Sequence, residues 1–172
     1  VFDRDMHAQA MELMSLETSL RQALERGELR VHYQPIMGIK DGSLHGFEAL
    51  VRWQHPERGL LAPGAFLEVA EETGLIVAMG RWVLNTACIQ TAKWQKGFNR
   101  PDLTISVNLA GRQLAQPGLV GEVEKAIQQS GLGAETLVLE ITENAVMEHA
   151  DESRRLLGKL KELGVKLHMD DF

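Results

Sequence analysis

Five carboxylate or amide side chains stand inside or at the ends of apolar runs, where a folded chain rarely places polar groups without a reason. Glu48 interrupts Phe47-Glu48-Ala49-Leu50-Val51, Asn108 closes Thr104-Ile105-Ser106-Val107-Asn108, and Glu140 interrupts Leu137-Val138-Leu139-Glu140-Ile141. Asp170 and Asp171 follow Val165-Lys166-Leu167-His168-Met169. Burying one carboxylate without a partner is costly, and burying several together requires something positive to neutralise them. Oxygen donors with no cysteine among them suit a hard cation such as Mg2+, Mn2+ or Ca2+ rather than structural zinc. The adjacent Asp170 and Asp171 are placed to bridge two such ions, and paired ions assist in-line attack at phosphorus. Any one of these residues alone would read as a helix cap or an ion-pair partner. The set does not, because its members end several separate apolar runs. Glu143 differs: placed before Asn144-Ala145-Val146-Met147, it reads as a residue that favours a helix start.

The elements that must position these groups follow from hydrophobic periodicity. Asp5 to Arg26 has a helical pattern, with Met6, Leu13 and Leu20 repeating every seven residues, Leu16 and Ala23 offset by three, and Gly27 as the stop. The stripe is that of a short coiled-coil seam or of a linker helix lying on the domain that follows; the second reading is preferred. The period then becomes two. Leu29, Val31 and Tyr33 alternate with polar residues, and Lys40-Asp41-Gly42-Ser43 signals a turn before Leu44 to Trp53, giving an antiparallel hairpin. Helical patterns follow at Pro63 to Glu72 and Leu75 to Lys96. Beyond them, strands at Leu103 to Leu109, Leu137 to Ile141 and Val165 to Met169 alternate with helices at Leu119 to Gln129 and Asp151 to Leu163. Short apolar strands separated by amphipathic helices predict right-handed βαβ units and a parallel sheet, an α/β fold. Four strands then deliver oxygen ligands near their C-terminal ends, the edge where α/β folds carry their sites.

Composition narrows the function classes. The 172 residues include 18 Lys plus Arg and 24 Asp plus Glu, so the net charge is 18 − 24 = −6. An acidic chain lacks the basic field on which duplex nucleic acid or anionic membrane binding depends. With 44% hydrophobic and 24% charged residues, the chain is neither collagenous nor disordered. The single cysteine, Cys88, excludes an internal disulfide and suits a reducing cytoplasm. No apolar run approaches the ~18 residues of a membrane span, and nothing reads as a signal peptide. The histidines show no shared metal spacing, and Cys88, Trp82 and Trp94 read as packing residues within one long helix.

The motifs, taken in order, resemble those of the EAL-domain cyclic di-GMP phosphodiesterases. Phe47-Glu48-Ala49-Leu50-Val51-Arg52-Trp53 resembles the family signature, and Tyr33-Gln34-Pro35 its first strand. Ser106-Val107-Asn108-Leu109 resembles the asparagine motif, Leu139-Glu140-Ile141-Thr142-Glu143 the glutamate motif, and Asp170-Asp171-Phe172 the start of the aspartate-pair motif. The resemblance covers 29–172 and implies part of a (β/α)8 TIM-type barrel whose first strand runs antiparallel, preceded by a linker helix over 1–27. It implies Mg2+ or Mn2+ at a two-metal site, with Glu48, Asn108, Glu140 and Asp170 on one metal and Asp170 with Asp171 serving the second. Glu48, Asp170 and Asp171 would be the catalytic groups. Gln34 and Arg52 would contact cyclic di-GMP, and Glu143 would anchor the loop after the aspartate pair. The reaction implied is water attack on one phosphodiester, giving linear pGpG.

The resemblance also implies an upstream GGDEF or sensory domain, through which the parent protein could be membrane-tethered. A non-catalytic cyclic di-GMP receptor, or a protein-interaction scaffold, is the alternative; retention of every ligand motif the length allows favours the enzyme. The family's later lysine, glutamate and glutamine do not follow Phe172, so the 172 residues by themselves are expected to be inactive. About five of eight barrel strands would leave an open edge at Val165 to Met169 and expose the apolar faces of Leu156, Leu157, Leu160 and Leu163. Self-association is the expected consequence.

Overall fold

The computed structural model describes residues 2–147 and 150–170, and within them the side chains of 11, 14–147 and 153–169. The order of elements is α1 (Phe2–Arg26), β1 (Leu29–Met37), β2 (Leu44–His55), β3 (Gly59–Leu61), α2 (Leu67–Glu72), α3 (Leu75–Phe98), β4 (Thr104–Leu109), α4 (Gly111–Leu114), α5 (Leu119–Ser130), β5 (Leu137–Thr142), α6 (Glu143–Met147), α7 (Ala150–Glu162) and β6 (Lys166–Asp170). The strands form one open sheet in the order β1-β2-β4-β5-β6, with β3 joined to the far end of β2. β1 is antiparallel to β2, and β2, β4, β5 and β6 are mutually parallel.

The hairpin forms because its turn residues meet the geometry it needs. Gly42 takes a positive φ of 66°, and Asp41 Oδ1 accepts from both the N–H (3.1 Å) and the hydroxyl (2.9 Å) of Ser43. These two bonds also hold the Asp41 carboxyl below its ordinary pKa. Four elements lie outside the sequence expectation: β3, the short helix α4, and the two 3-10 turns at Pro63–Ala65 and Ala134–Thr136. β3 is only three residues long and pairs Trp53, Gln54 and His55 with Leu61, Leu60 and Gly59, which is too short to generate a visible period.

Helices cover one face of the sheet. α3 buries Ile76, Met79, Val83, Leu84, Ala87, Cys88 and Thr91 at helical spacing, and ends where Asn99 turns left-handed at φ 52°. α5 contributes Leu119, Val123 and Ala126 to the same core. Leu160 of α7 is fully buried there, with Leu156, Leu157 and Leu163 packed beside it. The leucine face expected to be exposed is therefore partly covered, Leu160 fully and the other three about half, because α7 packs against α5, α6 and β6.

A second core seats the C-terminal half of α1. Leu16, Leu20 and Ala23 are buried with Leu29, Trp53, Phe66, Val69, Ala70, Ile76 and Met79. Trp53 points into this core, and its indole Nε1 donates to Glu28 Oε2 at 3.1 Å. The Met6 and Leu13 side chains of the heptad stripe lie outside the described residues. Among the described residues, no helix is long and apolar enough to cross a membrane.

Candidate functional site

Strand parity sorts the sheet into two chemistries, because successive side chains point to opposite faces. Tyr33, Phe47, Ala49, Val51 and Trp53 alternate onto the helix-covered face with Ile105, Val107, Leu109, Leu137, Leu139 and Ile141, most of them core residues. The intervening positions carry Gln34, Glu48, Arg52, Ser106, Asn108, Glu140, Thr142 and His168 onto the opposite face.

Register brings the sequence candidates together on that face. Gln34 pairs with Glu48 across β1–β2, and Glu48 with Ser106 across β2–β4. Asn108 pairs with Glu140 across β4–β5, and Thr142 with Asp170 across β5–β6. Neighbouring strands lie ~4.8 Å apart; Glu48 stands opposite Ser106 and Glu140 opposite His168, so the candidates form a stepped row that shifts by two residues from β2 to β4 and again from β5 to β6. One contact is direct: Asn108 Nδ2 donates to Glu48 Oε1 at 2.9 Å. Glu143 begins α6 and is exposed, one residue beyond the strand that carries Glu140. The side chain of Asp170 and all of Asp171 lie outside the described residues.

Glu48 and Glu140 are half-buried and Asn108 is exposed. Burial is thus less complete than the apolar runs suggested. The apolar neighbours in sequence belong to the opposite, helix-covered face, whereas the row itself lies on the face that the described helices leave open.

A cavity of about 350 Å³ adjoins the row. It occupies a gap in the sheet: β2 and β4 pair only as far as Ala49 with Val107, and β3 takes up β2 again from Trp53. Leu50, Asn108, Glu140 and Thr142 line it from the strands, while Leu67, Glu71, Met79 and Gln113 line it from the helices. Gln113 is buried, and its Oε1 accepts the Ala110 N–H at 3.2 Å, fixing the turn that follows Asn108. It can approach because residue 80 is glycine; a Cβ there would collide with the Gln113 amide.

Thr142 and His168 were absent from the sequence candidates, although parity alone would have found them two residues from Glu140 and Asp170. Glu71 and Gln113 had no such signal, since helix packing brings them in. Trp53, whose direction the sequence left open, faces away from the row. Cys88 is buried in the core, and burial pushes its thiol from the usual 9.0 up to about 12, which makes it inert at neutral pH.

The donors fit a hard cation by their chemistry: two carboxylates and an amide supply oxygens from adjacent strands. Among the described residues no group of three or more His, Cys, Asp and Glu could hold a metal. The fit therefore depends on the Asn108 amide oxygen and on the carboxylates of Asp170 and Asp171, which lie outside the described side chains.

Comparison with known proteins agrees with this geometry. The chain is 46% identical over 171 residues to the bifunctional diguanylate cyclase/cyclic di-GMP phosphodiesterase MucR of Pseudomonas aeruginosa, covering 99% of this chain and 25% of that protein. It is 43% identical over 172 residues to the cyclic di-GMP phosphodiesterase NbdA of the same organism, covering 99% of this chain and 22% of that protein. The chain thus spans about a quarter of the length of these relatives. A solved structure of the MucR phosphodiesterase in complex with c-di-GMP superposes with a TM-score of 0.88 at 46% identity, over 92% of this chain and 64% of that one. The EAL domain model matches residues 17–172, and the chain belongs to the EAL domain family.

Proposed function

We propose that the protein carrying this sequence hydrolyses cyclic di-GMP to linear pGpG at the row Glu48–Asn108–Glu140–Asp170. The observation that carries the reading is the Asn108–Glu48 hydrogen bond within a row of oxygen donors across four parallel strands, in a chain 46% identical to a named cyclic di-GMP phosphodiesterase. In the reaction a water oxygen bonds to one phosphorus and the P–O3′ bond breaks. The departing O3′ takes a proton, leaving a 5′-phosphate on pGpG.

Glu48, Asn108, Glu140 and Asp170 would hold one Mg2+ or Mn2+, and Asp170 with Asp171 would hold a second. Bound there, such ions supply Lewis-acid stabilisation of the charge that develops on the phosphate oxygens. The chain's own residues bind and orient. Arg52 offers a planar fork of donors that matches two phosphate oxygens, and Gln34, opposite Glu48, offers an amide to the dinucleotide. Glu143 anchors the loop after the aspartate pair. An upstream GGDEF or sensory domain, joined through α1, would regulate the site in the cytoplasm.

The test is chromatography of cyclic di-GMP incubated with the longer parent protein that carries this sequence and Mg2+ or Mn2+. Conversion to pGpG, abolished by chelator and by Glu48→Gln, is expected. Tight binding of cyclic di-GMP with no product under any divalent cation would establish the receptor alternative instead.

A further inference from the structure

Two arginines face each other directly on the site's side of the sheet. Arg30 pairs with Arg52 in the β1–β2 register, on the same face as Gln34 and Glu48. Like charges directly opposite in an antiparallel pair are destabilising. Among the described residues no carboxylate offsets this one. Arg30 Nη1 donates to the carbonyls of Gly27 and Leu29, both at 2.7 Å, and Arg52 Nη1 to that of Val51 at 2.8 Å. Among the described residues neither guanidinium meets a carboxylate, so the remaining N–H donors of both are free for a ligand.

The contrast with the rest of the chain is informative. Arg21, Arg81 and Arg100 each pair with an acid, Glu17, Glu122 and Asp102. In a chain with six more acids than bases, carboxylates are plentiful, yet none neutralises the opposed pair. The carbonyl bonds also tie each guanidinium at one nitrogen, which lowers the entropy lost when the other nitrogens bind an anion.

We propose that Arg30 and Arg52 together form a clamp for the second, uncleaved phosphodiester of the cyclic dinucleotide. The identity of that anion rests on the function proposed above; the clamp itself does not. The family resemblance implies a ligand role for Arg52 and none for Arg30. Four residues of β2 separate Arg52 from Glu48, roughly 13 Å at strand rise. That places the clamp at one end of the row and the hydrolytic groups at the other, so the two phosphodiesters of one ligand are told apart by position. Arg30 is thus a binding residue that fixes which phosphodiester is presented for attack.

The experiment is calorimetric titration of the protein, without divalent metal, against cyclic di-GMP and separately against inorganic pyrophosphate. Arg30→Gln, Arg52→Gln and the double variant are compared at two salt concentrations. Each single substitution should weaken cyclic di-GMP binding by about tenfold, the value of one charge-assisted hydrogen bond, and flatten its salt dependence. The double variant should lose less than the product of the two, because one anion bridges both groups. Thermal melting should show Arg30→Gln to be as stable as the wild type or more so, since it relieves the opposed charges. Unchanged cyclic di-GMP affinity in Arg30→Gln overturns the clamp and leaves the proposed function standing. Binding of pyrophosphate but not cyclic di-GMP by the wild type, lost in Arg30→Gln, keeps the clamp and overturns the dinucleotide reading. No binding of either anion overturns the clamp, while the proposed function is decided separately by turnover with Mg2+ or Mn2+.

Discussion

Asn108 and Glu48, sixty residues apart in sequence, are joined by a 2.9 Å hydrogen bond from Nδ2 to Oε1. The bond runs diagonally from Asn108, one residue past the last backbone pair of Ala49 with Val107, back to Glu48, which stands opposite Ser106 within the ladder. It thus ties the end of β4 to the paired part of β2. With Nδ2 engaged, the Asn108 Oδ1 is left to face another partner, and Glu140 holds the adjacent register position.

That bond makes Asn108 a sensitive position. Asn108→Asp would put a second carboxylate against Glu48 in place of a donor, and adjacent like charges repel. Asn108→Asp should therefore unfold at a lower urea concentration than the wild type at neutral pH. An unchanged midpoint would mean that the two side chains do not touch in solution. Asn108→Ala should weaken Mn2+ binding, measured by electron paramagnetic resonance, while changing unfolding stability by no more than ~1 kcal/mol.

Gly80 supports the same turn from behind. Alanine is ordinarily the better helix residue by about 1 kcal/mol, so Gly80→Ala would stabilise an unconstrained helix. Here its Cβ would meet the Gln113 amide that holds the Ala110 N–H. We expect Gly80→Ala to lower stability in urea, and Gly80→Ala with Gln113→Ala to recover part of the loss. A stabilised single variant would show that Gln113 moves aside at no cost.

The seating of α1 is testable in the same way. Leu20 is 1% exposed within the Trp53–Phe66 core, so Leu20→Ala should cost about 2–5 kcal/mol in urea unfolding. Met14, on the same helix and 66% exposed, should tolerate alanine within about 0.5 kcal/mol. Equal effects would mean that α1 does not rest on the sheet.

Much of this was legible beforehand because strand parity and chain order carry it. The hairpin, the alternation of strands and helices, and the shared row of Glu48, Asn108 and Glu140 follow from period-two patterns and one polar residue per apolar run. What stayed hidden depends on packing at a distance. No local pattern links Gly80 to Gln113, or closes a cavity between Leu50 and Glu71. The direction of Trp53 was equally hidden, because its partner Glu28 is twenty-five residues away in sequence, just before the start of the neighbouring strand. Leu156, Leu157 and Leu163 are half-buried rather than exposed because α7 packs on α5, α6 and β6, which a count of strands does not show.

Alkaline conditions should destabilise the fold through two neutral groups. Burial raises the Cys88 thiol from 9.0 to about 12, and burial, then the nearby Cys88 anion, raises the Tyr33 hydroxyl from 10.0 to about 12. Both hold their protons more tightly when folded, so between pH 9 and 12 the unfolded state binds fewer protons and stability falls as pH rises. Below pH 9 this contribution is constant. Melting temperatures should decline above that point, and Cys88→Ala should flatten the part of the decline that begins near pH 9 while leaving the part that begins near pH 10. A slope unchanged by Cys88→Ala would place the thiol in contact with solvent.

Association is expected from the two outer strands. β1 and β6 each have only one neighbour among the described residues, and Met169 on β6 is 46% exposed. Open edges template pairing with another chain. Light scattering of the 172-residue chain should give a mass that grows with concentration. A constant monomer mass would mean that the edges are protected.

The Glu48–Asn108–Glu140 row is proposed to direct water to phosphorus. Turnover of cyclic di-GMP by the longer parent protein in 18O-labelled water, with Mg2+ or Mn2+ and mass spectrometry of the product, decides this. The expected product is pGpG carrying one 18O on its 5′-phosphate, with none formed by Glu48→Gln. Cyclic di-GMP recovered intact, or pGpG formed without label in its phosphate, would refute that role.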